Sequence, residues 1–160
     1  MGADIHLFHE KYDTKTSKWE SCDNWQLNKY YNSEEDTYDI GIDSQNEMKY
    51  EVPYDNYIYR GRNYYLFGCL AGVRGNIPCI SYPRGIPDGV NEWIKKYIDK
   101  YGVDGHSHSW YTLEELLDVN WEFYTKNDYE NVSQFLKVIE YLKTIDSDPK
   151  NVRIIFFFDS

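Results

Sequence analysis

All four histidines of the chain fall in two short stretches, His6 with His9 and His106 with His108. Histidine ligates metals and exchanges protons near neutral pH, so each pair invites a chemical reading. Through residues 3–11 apolar and polar positions mostly alternate. Ala3, Ile5 and Leu7 take one face of a strand, and Asp4, His6, Phe8 and Glu10 the other, with His9 opposite His6. One face can therefore turn Asp4, His6 and Glu10 toward the second stretch, Gly102–Trp110, and Asp159 can join from the last strand. Such a set binds zinc, manganese or magnesium and activates water, with Asp4, His6, His106 and His108 as the ligands. The spacing matches no established zinc motif such as HExxH. Hydrogen-bonded histidines without metal, and no cofactor, are the expectation.

The arginines form a second group. Arg60, Arg62, Arg74 and Arg84 lie in or beside glycine-containing loops. Guanidinium forks grip phosphates bidentately, and neighbouring tyrosines can stack on a nucleobase. The competing reading pairs these arginines with the abundant carboxylates, as is expected of Arg153 in the final strand. Ser107 and Ser109 flank histidines, but neighbours in sequence seldom face each other productively. A GxSxG elbow, a P-loop and a dinucleotide fingerprint are all absent. The candidate ligand-binding set is Asp4, His6, Arg60, Arg62, Asn63, Tyr64, Arg74, Arg84, His106, Ser107, Ser109 and Trp110, with no catalytic residue among them.

The elements that must position these residues are partly legible. The polar cluster Asp13–Lys18 predicts a turn, with Trp19–Cys22 as the return strand of a hairpin. Residues 23–58 are acidic, rich in tyrosine and broken by Gly41 and Pro53, which predicts an irregular excursion with room for a short hairpin. Asn63 can cap a buried helix carrying Leu66, Phe67, Leu70, Ala71 and Val73, which Gly75 can end. Gly68 and Gly72 leave one face of that helix open to close packing. A proline-punctuated loop from Ile77 to Pro87 follows, and Asp88 can cap the next helix. Val90, Trp93, Ile94, Tyr97, Ile98 and Tyr101 recur at helical spacing, and Gly102 sits where a C′ glycine ends a helix. Gly102–Trp110 reads as a polar loop, placed for function or for setting the angle between two helices. Thr112 and Glu115 have capping-box spacing before a short helix through Leu117. Val119–Tyr124 is ambiguous and allows a strand. Residues 129–145 predict a long helix, and Val152–Asp159 a buried central strand. Strands at both ends with about four helices between them give an α+β class with a mainly antiparallel sheet, in a single domain over 1–160.

Bulk properties narrow the partners. A formal charge of −10 argues against duplex nucleic acid, which needs a basic face, but permits a small anion held by local cations. The 17 tyrosines suit cavities or an interface, so a homo-oligomer is allowed; an AT-rich coding genome would raise the same residue type. Cys22, Cys69 and Cys79 lack CxxC spacing, which suits a reducing compartment. The start Met1–His6 has no apolar signal core, and no apolar run approaches the ~18 residues of a membrane span. A cytoplasmic protein is expected.

Several separated motifs resemble those of a family of small proteins encoded by bacteriophages and by bacteria carrying phage-derived genes. They are Gly2-Ala3-Asp4-Ile5-His6 with Glu10, Arg62-Asn63-Tyr64 with Leu66-Phe67 and Leu70-Ala71, Val73-Arg74, and Arg84-Gly85-Ile86-Pro87. Gly105-His106-Ser107, Ser109-Trp110 with Thr112-Leu113, and the ending Val152–Asp159 complete the set. The resemblance implies a phage setting, an infected bacterial cell, and no particular reaction. His6 and His106 belong to its pattern whereas His9 and His108 need not, which favours a polar pocket of Asp4, His6, Arg62, Arg74 and His106. Phage proteins of this size and setting sequester nucleotide signals of antiviral systems such as Thoeris and CBASS. The leading expectation is therefore non-catalytic binding of a phosphorylated small molecule of the cyclic nucleotide or cyclic ADP-ribose type. A metal-dependent hydrolase of such a nucleotide, and an acidic inhibitor that occupies a partner protein's basic groove, are the alternatives.

Overall fold

The most apolar run of the chain, Val152–Asp159, becomes an inner strand of the sheet, because only burial on both faces suits Ile154–Phe158. In the computed structural model, which describes residues 2–29, 31 and 48–160, this run is β6. The first strand, β1 (Asp4–Asp13), folds back through residues 14–17 onto β2 (Lys18–Ser21) and pairs on its other side with β6. The turn is an Asx turn: the Asp13 carboxylate accepts from Lys15 N at 2.8 Å. A further strand, Gly105–Thr112, lies on the far side of β6, giving a four-stranded antiparallel sheet in the order β2-β1-β6-Gly105–Thr112.

Register fixes what each face presents. Ile5 pairs with Phe158, His6 with Phe157, Leu7 with Phe156 and Phe8 with Ile155. Ile5, Leu7, Ile154, Phe156 and Phe158 enter the larger core, shared with three helices. Phe8, Ile155 and Phe157 enter the smaller one with Val52, Ile94 and Ile98. The excursion contributes to this second face. Its described ends form β3 (Gln26–Leu27) and β4 (Tyr50–Glu51), paired antiparallel, a short ladder of the kind for which the expected excursion leaves room. Residues 30 and 32–47 of the excursion lie outside the described residues.

The larger core is covered by α1 (Tyr64–Ala71), capped by Asn63, whose Oδ1 accepts from Leu66 N at 3.0 Å. This helix ends at Gly72 in the left-handed conformation, ahead of the expected Gly75. Gly75 instead packs on Gly68: a methyl group on Gly68 would stand 2.7 Å from Gly75 Cα. The smaller core is covered by α2 (Glu92–Tyr101), which Asn91 caps in place of the expected Asp88. The Asp88 carbonyl is taken by Arg153, whose Nη1 donates to it at 3.2 Å. The Asn91 amide is held by the buried carboxylate of Glu10 at 2.6 Å.

Gly102–Trp110 is not a loop throughout. A single 3-10 turn over Gly102–Asp104 leads into Gly105–Thr112, which is strand β5, paired to β6 with a bulge between His106 and Ser109. The polar composition conceals this strand because it is an outer one: Ser109 and Tyr111 are wholly buried while their neighbours stay half exposed. The capping box of Thr112 and Glu115 forms and opens α3 (Leu113–Asp118). The ambiguous Val119–Tyr124 joins α4 (Trp121–Leu142), which Asn120 caps. Its aromatic run suits a strand by propensity. Tertiary hydrogen bonds decide for the helix: Trp121 Nε1 donates to the Leu116 carbonyl and the Tyr124 hydroxyl to that of Pro78, each at 2.8 Å. The architecture is α+β, with four α-helices among the described residues. None of these helices is long and apolar enough to cross a membrane.

Candidate functional site

On the face of the sheet under α2, His6 is held at both ring nitrogens. Its Nε2 lies 2.9 Å from Asp159 Oδ2 and its Nδ1 lies 2.9 Å from the Tyr97 hydroxyl. A carboxylate can only accept, so Nε2 donates to Asp159, while Nδ1 meets the Tyr97 hydroxyl. The ring stacks on Phe157 at 4.7 Å with 9° between planes, and Tyr101 closes its edge at 4.6 Å. Alternation along β1 delivers His6 to this face, and the register with β6 brings Asp159 beside it.

Above this floor lies a cavity of about 510 Å³. Tyr50, Tyr54 and Tyr57 wall it from β4 and the turn that follows, and Tyr97 and Tyr101 wall it from α2. Asp4, Glu51, Asp159, Arg60 and Lys100 supply its charges, and Ile5, Met48 and Val52 its apolar patches. Five tyrosines thus share the lining with five charged side chains, and the volume falls within the range of small-molecule pockets. Tyr50 is braced from behind by parallel stacking on Trp93 at 4.9 Å. Burial pushes the hydroxyls of Tyr57, Tyr97 and Tyr101 upward in pKa, so they stay phenols, able to donate and accept but not to act as bases at neutral pH.

The expected binding set is split by this geometry. Asp4, His6 and Arg60 line the cavity. Arg62 does not reach into it: Nε and Nη2 grip Asp4 at 2.7 and 3.2 Å. That pair draws Asp4 below its ordinary pKa through the guanidinium hydrogen bond, against a smaller opposing effect of burial. Arg60 is paired with Asp55 and lies over the Tyr54 ring at 4.6 Å. Asn63 caps α1, and the Tyr64 hydroxyl accepts from Ala3 N at 3.2 Å. Arg74 is exposed, with left-handed backbone (φ 58°) and its guanidinium 5.8 Å from the Tyr64 ring.

Arg84 stands at another place altogether. It pairs with Glu115, holding that carboxyl below its usual range, and its guanidinium lies 5.0 Å from the Trp110 ring. Its backbone N donates to the buried Ser109 hydroxyl at 3.1 Å. His106 falls opposite Phe158, on the face away from His6, where it meets Ser107 at 3.0 Å and Ser160 at 3.2 Å. Ser107 takes a left-handed φ of 55° within the bulge. That bulge delivers His108 instead to the His6 face, stacked on Phe157 at 5.2 Å. A pocket uniting Asp4, His6, Arg62, Arg74 and His106 is therefore not formed. Among the described residues no three His, Cys, Asp or Glu side chains gather to hold a metal ion, so Asp4, His6, His106 and His108 are not a ligand set.

Sequence reasoning missed most of the cavity wall. Tyr50, Glu51, Tyr54 and Tyr57 come from the excursion, whose pattern carries no periodicity. Tyr97 and Tyr101 belong to the amphipathic stripe of α2, which reads as plain core. Their signal is four-residue spacing of tyrosine, an apolar ring with a polar tip, on a face that otherwise buries Ile94 and Ile98. His9, on the opposite sheet face, is used structurally: its Nδ1 lies 2.9 Å from buried Asp23 and its Nε2 3.2 Å from the Tyr141 hydroxyl.

Comparison of the chain with protein-family models, curated proteins and solved structures found no match.

Proposed function

We propose that this protein captures a small phosphorylated signalling molecule of the cyclic nucleotide or cyclic ADP-ribose type in the tyrosine-walled cavity, without turning it over, in a phage-infected bacterial cytoplasm. The carrying observation is the 510 Å³ cavity with five tyrosines on its wall and charged groups of both signs beside them. Phenol rings stack on a base of any identity, and lysine or arginine receives a phosphate. Capture without turnover is supported by the state of His6. Both of its nitrogens are engaged by protein groups, so neither has an open lone pair for a substrate proton. The phage setting rests on the sequence motifs alone.

The test is to incubate the protein with cyclic nucleotides and ADP-ribose cycles, remove unbound molecules, denature by heat and identify what is released by mass spectrometry. Intact ligand in an amount tracking protein concentration supports sequestration. Progressive conversion by substoichiometric protein overturns it and turns attention to Asp159 and His6 as an acid–base pair.

A further inference from the structure

Most charges around the cavity are already answered from within the protein. Asp4 is gripped by Arg62, Arg60 is paired with Asp55, and Asp159 receives His6 and the Asp4 amide, the last at 3.3 Å. Two remain. The side chains of Lys100, in the last turn of α2, and Glu51, on β4, make no ion pair or hydrogen bond among the described residues, yet both residues line the cavity. One is a compact cation on a flexible stem, the other an acceptor only.

We infer that Lys100 and Glu51 are the two recognition charges of this site, so that its ligand is a mononucleotide-sized molecule with a single phosphate group. Lys100 receives the phosphate, Glu51 accepts from ribose hydroxyls or an exocyclic amine, and the base lies between them against the tyrosines. This rests on the nucleotide-binding reading above and narrows it. With one uncommitted cation among the described lining residues, a pyrophosphate or triphosphate would bring surplus negative charge to a wall that already carries Glu51 and Asp159. The pairing thus favours a cyclic mononucleotide over a cyclic ADP-ribose. Opposite charges at separate points of one cavity also fix the ligand's direction, which stacking alone does not.

Isothermal titration with AMP, cyclic AMP, adenosine, ATP and cyclic ADP-ribose tests this on the native chain and on Lys100→Met, Glu51→Gln and Arg74→Ala. The expected result is that the two single-phosphate probes bind more tightly than adenosine, ATP or cyclic ADP-ribose. Lys100→Met should cost tenfold or more on AMP while adenosine is hardly affected. Glu51→Gln should weaken AMP and adenosine alike, and Arg74→Ala, outside the cavity, should change neither. Lys100 is exposed and Glu51 half-buried, and an unchanged melting temperature verifies that each variant folds. Tighter binding of ATP or cyclic ADP-ribose than of AMP, or nucleotide binding that ignores both substitutions, overturns the inference and leaves the nucleotide reading standing. A native chain that binds no probe in the panel overturns both.

Discussion

The imidazole of His6 and the carboxylate of Asp159 meet at 2.9 Å across the ladder that joins the first strand to the last. The contact is half-sheltered, with side-chain exposures of 13% and 26%, so solvent only partly screens it. Asp159 also accepts from the Asp4 amide. Replacing Asp159 with alanine should cost roughly 1–3 kcal/mol, since two donors lose their acceptor. The same substitution releases His6 Nε2 toward the cavity. Chemical denaturation measures the first effect, and an unchanged midpoint would refute the structural weight given to this pair.

Glu10 and Arg153 make a second cross-strand pair, and this one is fully buried: Nε donates to Oε1 at 2.6 Å, and the guanidinium lies 3.9 Å from the Trp19 ring. Burial opposes both charges, raising the Glu10 pKa and lowering that of Arg153, while each partner counters the shift. Arg153→Met should therefore destabilise by about 3–5 kcal/mol, because a carboxylate is left buried with only the Asn91 amide. Adding Glu10→Leu should recover part of that loss. Strict additivity in the double-mutant cycle would show that the two are not coupled.

Glu115 and His108 both contribute to the acid side of the stability curve. Glu115 is held below its ordinary 4.5 by the Arg84 hydrogen bond. The unfolded chain takes that proton first, so the contribution is complete above about pH 4.5 and drains away as pH falls through the lowered folded value. Its size is modest, since solvent reaches the pair. His108 is held below its ordinary 6.5, chiefly by burial and then by the electrostatic effect of His106 and Lys95. Unfolded His108 protonates first, so stability declines as pH drops below 6.5 and levels off once the folded ring also takes a proton. His108→Phe keeps the stack on Phe157 and should flatten that limb of the melting curve. A proton NMR titration that places His108 above 6.5 would contradict the assignment.

Arg74 tests the arginine cluster read from the sequence. It is exposed, its backbone is left-handed, and it lies outside the cavity lining. Glycine relieves left-handed strain of about 1–2 kcal/mol but loses some of that in chain entropy. Arg74→Gly should thus leave stability unchanged or raise it by up to ~1 kcal/mol, with ligand affinity intact. A marked fall in affinity at an unchanged midpoint would restore Arg74 as a functional residue.

Periodic features are legible in the sequence. The face of β1 that carries Asp4 and His6, the amphipathic α2, the Asn63 cap, the Thr112–Glu115 box and the central β6 all follow from spacing and residue type. The candidate site is half legible: Asp4 and His6 share a strand face that Asp159 joins, but Glu10 of the same expected group is buried against Arg153 and the Asn91 amide, away from the cavity. What failed was convergence between elements. His106 and His108 read as loop neighbours, and only the bulge in β5 decides which of them shares a face with His6. The arginines lie close in sequence, but each meets a carboxylate or ring of its own, and of the four only Arg60 lines the cavity. The tyrosine wall depends on β4 and α2 meeting over the sheet, a long-range choice that no local pattern encodes.

The pairing of β1 with β6 also bears on how the chain reaches this state. Asp4 and Asp159 are register partners 155 positions apart, and the ladder between these strands is the backbone of both cores. The closure entropy of so long a loop must be met before either core can consolidate. The middle of the sheet therefore has to await Val152–Asp159, while β1 and β2 can form their hairpin much earlier. Until then β1 presents an unpaired edge carrying Ile5, Leu7 and Phe8, so the unfinished chain is most exposed to misassociation along its first strand.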